Sequence, residues 1–252
     1  MVRHIDSKER EEELLGLLIE SYIEESKPIS SSYLCSKYKL PYSPATVRNT
    51  LLALENKGYL AHVHTSSGRV PTKAGFRYYA QHLNEEHALR HCHIEIAPQH
   101  PPAEDMERAI NYTLDMLSDM SGYTSIAALS HTPKHLPTED KIYCRGTRYI
   151  LNQPEFTDIN KVKNLFYALE VEMNVLQLLL NKCFSERMKI MIGDELGNQN
   201  MEDCSLVISG SDDTDMPFSL GLLGPMRMDY EKAIASLYKA KAELKKVFEA
   251  FL

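Results

Sequence analysis

The chain has 252 residues, of which 43% are hydrophobic and 25% are charged. This length and composition are typical of a globular protein with one or two domains, and they exclude a chain that is disordered throughout. Its 28 basic and 35 acidic residues give a net charge of −7, which by itself argues against a nucleic-acid-binding protein.

The sequence predicts a cytoplasmic protein without a membrane segment. No apolar run approaches the ~18–20 residues that span a bilayer, and the first thirty residues do not have the pattern of a secretory signal. The five cysteines are odd in number and form no C-x-x-C pair, so neither a disulfide framework nor a structural zinc site is expected.

The charge is distributed unevenly along the chain. Residues 37–82 contain seven lysines and arginines but only one acidic residue, Glu55, whereas the segments before and after are both acidic. A basic block inside an acidic protein is typical of a surface that binds a polyanion. The alternative is chance clustering of charges on a solvated face.

Four helices and a hairpin are predicted for the first domain, residues 1–82. The first helix starts near Asp6 and ends before Pro28. A second runs from the serines at 30–32 to Tyr38, and a third opens at Ser43-Pro44 and ends at Gly58. Residues 59–64 alternate as a strand, residues 65–69 form a turn, Val70-Pro71 begin the return arm and Thr72 caps a fourth helix. This order predicts a winged helix-turn-helix.

The third helix is the predicted recognition helix, and the hairpin is the predicted wing. Arg48 and Asn49 lie on the outward face of the helix and are the expected base readers in a major groove. Arg69 is expected at the hairpin tip, in a minor groove or against phosphate. The full predicted DNA-binding set is Ser43, Thr46, Arg48, Asn49, Ser66, Ser67, Gly68, Arg69 and Lys73. The alternative is that three helices and a hairpin form a purely structural module.

Residues 83–103 are rich in histidine and proline and are predicted to form a linker. His87 and His91 have helical i, i+4 spacing and are followed by Cys92 and His93, side chains that suit zinc or nickel. A linker holds ligands poorly and no second cluster completes the set, so we expect a solvated segment and no bound metal.

The remaining residues, 104–252, predict an α+β domain of the sensor type. Helices are expected over 104–121, from Asp158 to about Phe184, and from Asp229 to near the C-terminus. Strands are expected over 124–129, 142–144, 188–192, 205–208 and 219–223. The chain contains no phosphate-binding glycine loop, no H-E-x-x-H and no G-x-S-x-G, so we expect neither an enzyme nor a cofactor.

Several segments resemble the HrcA family of heat-inducible transcription repressors. In the first domain they are residues 43–49 (SPATVRN), 64–72 (HTSSGRVPT) and 75–79 (GFRYY). Downstream they are residues 117–124 (LSDMSGYT), 146–156 (GTRYILNQPEF), 192–195 (IGDE), 202–207 (EDCSLV) and 221–230 (GLLGPMRMDY), in which Met226 replaces the threonine of the family pattern.

The resemblance implies an α+β protein with an N-terminal winged helix-turn-helix and a GAF-like regulatory domain. It also implies a homodimer on double-stranded DNA at an inverted-repeat operator of the CIRCE type, a GroEL-type chaperonin as partner, and release from the operator on heat stress. The chain departs from the family in one place. Only residues 131–145 fill the position of a long inserted dimerisation region, so this is a shortened member with a reduced GAF-like domain.

Two other functions remain open from the sequence. One is a DNA-binding regulator whose C-terminal domain senses a small molecule. The other is a degenerate relative that has lost operator binding together with the insertion and mainly binds the chaperonin.

Overall fold

The computed structural model describes residues 7–63, 68–83, 86, 88, 89, 105–129, 141–170, 180–185, 187–211 and 217–251. The chain divides into two compact units, residues 1–83 and 84–252. A separate linker over 83–103 stays a prediction, because most of that segment, including His87, His91, Cys92 and His93, lies outside the described residues.

The first unit contains the predicted order of three helices, a hairpin and a fourth helix. The elements are α1 (Ser7–Glu25), α2 (Ser31–Tyr38), α3 (Pro44–Asn56), β1 (Leu60–His62), β2 (Arg69–Pro71) and α4 (Lys73–Gln81). The winged helix-turn-helix predicted for this part of the chain is therefore confirmed.

Three of these helices begin where a side-chain hydroxyl accepts a backbone N–H. Ser30 caps α2, Ser43 caps α3 and Thr72 caps α4, each with its oxygen 3.1 Å from the nitrogen of the residue three positions on. Each cap satisfies one of the N–H groups that a helix start leaves without a partner. The sequence positions of these hydroxyls therefore determine where the helices begin.

The helices of the first unit surround an apolar core. The α1 stripe buries Leu14, Leu15, Leu18 and Ile19, each 0–1% exposed. Against it pack residues from the other elements, all at most 3% exposed: Leu34, Val47, Leu51, Leu54, Leu60 and Phe76.

The wing hairpin has a third, very short partner. β1 and β2 pair antiparallel, with Leu60 opposite Pro71 and His62 opposite Arg69. On its other edge β2 pairs with the link between α1 and α2, because Ile29 and Arg69 exchange both backbone hydrogen bonds, at 2.8 and 2.9 Å. The strand predicted over residues 59–64 is observed as β1 over Leu60–His62, and His64 lies outside the described residues.

The second unit contains a five-stranded sheet in the order β4-β3-β7-β6-β5, with every neighbouring pair antiparallel. Its elements are α5 (Met106–Ser121), β3 (Thr124–Leu129), β4 (Lys141–Arg145), α6 (Arg148–Leu151), α7 (Ile159–Glu170), β5 (Lys189–Ile192), β6 (Cys204–Ser211), β7 (Phe218–Pro225) and α8 (Tyr230–Phe251), with 3-10 turns at Pro154–Thr157, Gly193–Leu196 and Gln199–Met201. All five strands were predicted. The helix predicted from Asp158 to Phe184 is described as α7 as far as Glu170.

Helices cover both faces of this sheet. On one face Ile126, Leu206 and Ile208 join an apolar cluster with Leu165 of α7 and Ile150 of α6. On the other face the Ser125 hydroxyl donates to the Leu114 carbonyl of α5, and the Ser205 and Tyr230 hydroxyls lie 2.8 Å apart beside α8. β3, β6 and β7 are buried along their whole length. This is the α+β arrangement that was expected.

Within the described residues, no helix is long and apolar enough to cross a membrane. The same part of the chain holds no group of three or more His, Cys, Asp or Glu side chains that could bind a metal ion.

Candidate nucleic-acid interface

Helix α3, the predicted recognition helix, is amphipathic, with one buried and one exposed face. Its inner face buries Val47, Leu51 and Leu54, which are 0–2% exposed. These three side chains anchor the helix on α1 and α2. The opposite face is exposed at Arg48, Asn49 and Leu52, and an external ligand can contact it there.

That exposed face carries side chains suited to base edges. Arg48 and Asn49 are exposed, and neither forms a hydrogen bond or ion pair with another described residue. Arginine pairs with guanine and asparagine with adenine through two hydrogen bonds in the major groove. Leu52, 47% exposed, lies one turn further along and offers an apolar contact. The sequence interpretation missed Leu52, although its i+3 and i+4 spacing from Asn49 and Arg48 places it on the same face.

The N-terminal end of α3 is arranged by two predicted site residues. The Ser43 hydroxyl accepts the Thr46 N–H at 3.1 Å, and the two side-chain oxygens lie 2.9 Å apart. Both residues thus organise the helix start, where free N–H groups and the helix dipole favour an anion. Nearby, exposed Lys39 ends α2 in a left-handed conformation, with φ of 49°.

Much of the basic block is neutralised within the first unit, which the sequence did not predict. Lys37 forms an ion pair with Glu24, and Lys57 with Glu11, so α1 supplies both carboxylates. Arg69 pairs with Glu55, its Nε 2.7 Å from Oε2. At least three of the seven cations that gave the block its positive balance are therefore engaged in ion pairs. Lys39 and Arg48 are exposed and have no ion pair with a described residue.

The predicted placement of Arg69 at the hairpin tip is wrong. Arg69 lies in β2, opposite His62, and its side chain is only 13% exposed. This placement depends on a contact with a residue that is distant in the sequence. Folding brings Glu55, at the end of α3, next to the hairpin, and the carboxylate holds the guanidinium.

The other wing residues of the predicted set have separate placements. A Cβ on Gly68 would lie 2.3 Å from the Ile29 carbonyl carbon, so the absence of a side chain there permits the close approach of the wing to Ile29. Ser66 and Ser67 lie outside the described residues. Lys73 is half-buried in the first turn of α4.

Two described cysteines of the second unit have a shifted pKa, and neither thiol is activated. Burial raises the pKa of Cys144 to about 11 and that of Cys204 to about 12. A thiol with a raised pKa stays protonated at neutral pH and is a poor nucleophile. These two groups therefore behave as core side chains.

Comparisons with known proteins agree with this architecture. The family model "HrcA protein C terminal domain" matches residues 127–234, which include all of β5, β6 and β7. A heat-inducible transcription repressor HrcA of Pelotomaculum thermopropionicum is 26% identical, over 96% of this chain and 97% of its own length. Its counterpart in Roseiflexus castenholzii is also 26% identical, over 92% of both chains. A solved structure described as a hypothetical protein superposes with a TM-score of 0.74 at 17% identity, covering 95% of this chain and 98% of its own.

The alignment with the Pelotomaculum protein extends over 336 positions, although this chain has only 252 residues. The relative therefore contains residues without a counterpart here, as expected for a shortened member. The winged helix-turn-helix, the sheet domain matched by the family model and the similarity over nearly the whole length together show that the chain is similar to the HrcA repressors.

Proposed function

We propose that the chain is a sequence-specific repressor of heat-shock genes that binds double-stranded DNA through α3. The observation that carries the proposal is the exposed face of this helix, where Arg48 and Asn49 lie opposite a fully buried apolar face. A helix held in this way by a winged helix-turn-helix enters the major groove of DNA. The name of the relatives, heat-inducible transcription repressor, supports the biological role.

In the proposed complex the contacts divide into base reading and backbone positioning. Arg48 and Asn49 read base edges, and Leu52 packs on a thymine methyl group. The N-terminal end of α3, arranged by Ser43 and Thr46, and the ammonium of Lys39 contact phosphates and set the register of the helix. Lys73 and the wing serines, Ser66 and Ser67, remain proposed backbone contacts.

The regulation that we propose comes from the family resemblance. Two copies bind an inverted repeat of the CIRCE type as a homodimer, since each recognition helix reads one half-site. A GroEL-type chaperonin maintains the active repressor, and heat stress releases it from the operator. We place this function in the cytoplasm, where chromosomal DNA and the chaperonin meet.

Binding of the full-length chain to a duplex that carries the CIRCE inverted repeat tests the proposal. Fluorescence anisotropy gives the affinity, and a duplex of scrambled sequence measures nonspecific binding. Arg48→Ala is expected to weaken operator binding by about 1–3 kcal/mol and to change nonspecific binding much less, because it removes a base contact. Arg148→Ala is the matched control, since Arg148 is an exposed arginine of the second unit that pairs with Asp119.

Four results would contradict parts of the proposal. Equal loss on both duplexes would make Arg48 a phosphate contact. A wild-type chain without preference for the inverted repeat would indicate a regulator with another site or a degenerate relative. A complex whose mass corresponds to one chain per duplex would contradict the homodimer, and unchanged operator affinity on addition of chaperonin would contradict the partner.

A further inference from the structure

Three polar side chains of the first unit meet between the recognition helix and the wing. Glu55 lies at the end of α3, His62 in β1 and Arg69 in β2. The Arg69 Nε is 2.7 Å from Glu55 Oε2, and its Nη1 is 3.0 Å from His62 Nδ1. His62 Nε2 is in turn 3.5 Å from the same Glu55 oxygen. We call these three residues the wing triad.

The donor pattern of the wing triad is self-consistent. Arginine only donates hydrogen bonds, so His62 Nδ1 must accept from Nη1 and carries no proton in this arrangement. The ring proton is then on Nε2, on the side of the Glu55 carboxylate. Each member therefore faces a complementary group: Nη1 donates a hydrogen bond to His62, whereas Nε and Glu55 Oε2 form an ion pair without hydrogen-bond geometry.

The backbone of Arg69 extends these connections. Its N–H and C=O both bond to Ile29, and the residue stands opposite His62 in the hairpin. One residue thus links the end of α3, both strands of the wing and the connection between α1 and α2. The orientation of the wing relative to the recognition helix decides whether the wing and the helix can contact DNA at the same time.

The burial of the wing triad argues against a direct phosphate contact by Arg69. Its side chain is 13% exposed and that of Glu55 is 23% exposed. Turning the guanidinium towards DNA would leave the partly buried Glu55 carboxylate without its cation and near the phosphates, an unfavourable position for a negative charge.

We propose that Arg69 is a positioning residue, which fixes the wing to the recognition helix through Glu55 and His62 and does not itself bind DNA. This inference rests on the proposed DNA-binding function and deepens it. It also assigns a function to Glu55, the one acidic residue of the basic block, as the anchor of the wing.

A double-mutant cycle tests the wing triad. Glu55→Gln, Arg69→Gln and the double variant are compared for affinity to the CIRCE duplex at several salt concentrations. If Arg69 positions the wing, each single variant lowers the affinity on the order of tenfold. The affinity of the double variant is then no lower than that of the single variant that binds less tightly. The slope of log affinity against log salt stays that of the wild type, because the proposed wing contacts of Ser66 and Ser67 are uncharged and no cation is removed from a phosphate.

A phosphate contact by Arg69 gives the opposite pattern and overturns the inference. Arg69→Gln would then reduce the salt slope by about 0.9, and Glu55→Gln would leave binding unchanged or tighten it, since it removes a negative charge. Arg69→Lys covers the case in which the glutamine variant does not fold. A lysine keeps the charge but cannot span both partners, so positioning predicts weaker binding with an unchanged slope, whereas a phosphate contact predicts wild-type binding.

The wild-type measurement separates the two levels of the argument. A wild-type chain that prefers the CIRCE duplex, together with a Glu55→Gln variant of equal affinity, refutes the wing triad alone. A wild-type chain without that preference refutes the proposed function, and the inference with it. Far-UV circular dichroism and the melting temperature of each variant identify any loss of folding.

Discussion

Gly68 provides a direct test of how the wing is attached to the rest of the first unit. A methyl group at this position would lie 2.3 Å from the carbonyl carbon of Ile29, 2.4 Å from its oxygen and 2.7 Å from its nitrogen. Non-bonded carbon atoms normally approach to only ~3.5–4.0 Å, so Gly68→Ala must move the backbone by about 1 Å or more. The neighbours are backbone atoms, which cannot rotate away as the end of a side chain can.

The expected loss of stability follows from these contacts. The shift strains the two hydrogen bonds between Ile29 and Arg69, each worth about 0.5–1.5 kcal/mol in net stability. Overpacking of a close contact has a similar cost, so Gly68→Ala is expected to destabilise the first unit by about 1–3 kcal/mol.

Hydrogen exchange followed by mass spectrometry measures this effect in the full-length chain. Peptides that contain Ile29 and Arg69 are expected to exchange faster in Gly68→Ala, because their amides protect each other in the wild type. Gly16→Ala is the matched control. A Cβ at Gly16 meets nothing within 4 Å, and alanine in place of glycine inside α1 is expected to stabilise the unit by about 1 kcal/mol.

If both peptides of Gly68→Ala exchange at the wild-type rate and the urea midpoint is unchanged, the reasoning is refuted. It would show that the wing is not held against Ile29 in solution. The proposed positioning function of Arg69 would then lose its structural support.

Two further predictions concern a helix cap and a buried thiol. Ser43→Ala should destabilise α3 by about 1 kcal/mol, because it removes the helix cap. Ser43→Asp keeps the cap but places a negative charge at the proposed DNA surface, so it should have the wild-type urea midpoint and still bind the operator more weakly. Tight operator binding by Ser43→Asp would contradict the proposed surface. Burial raises the pKa of Cys204 from 9.0 to about 12, so its contribution to stability is complete below pH 9 and is lost by about 1.4 kcal/mol per unit as the pH rises towards 12. Urea unfolding at pH 8 and pH 10.5 should show this loss and Cys204→Ala should reduce it, whereas alkylation of native Cys204 at pH 8 would contradict it.

The parts of the fold that could be predicted from the sequence depend on local rules. Ser43, Thr72 and the run of serines at 30–32, of which Ser30 is the cap, were recognised as helix starts because capping uses atoms only three residues apart. The strand at residues 124–129 was predicted with its observed bounds. A run of small and apolar residues follows Gly122 there, and in the structure this glycine ends α5 with φ of 78°.

The parts that could not be predicted depend on contacts between distant residues. Arg69 was assigned to DNA because the local pattern placed it in a basic turn, whereas its partner Glu55 is fourteen positions earlier in the sequence. Lys37 and Lys57 were counted with the positive block, but α1 returns Glu24 and Glu11 to them. A count of charges along the chain cannot detect such pairs, because it contains no information on which segments meet.

The ion pairs between α1 and the basic block have a consequence for the search among genomic sites. Nonspecific attraction to DNA grows with the number of cations available to phosphates, and the chain's own glutamates remove Lys37 and Lys57 from that number. A regulator with few available cations spends less time on irrelevant DNA, which competes with the operator at ~10⁶–10⁹ sites in a genome. Discrimination then depends mainly on base contacts such as those of Arg48 and Asn49. The two α1 glutamates, Glu11 and Glu24, thus favour occupancy of the correct site by weakening binding everywhere else.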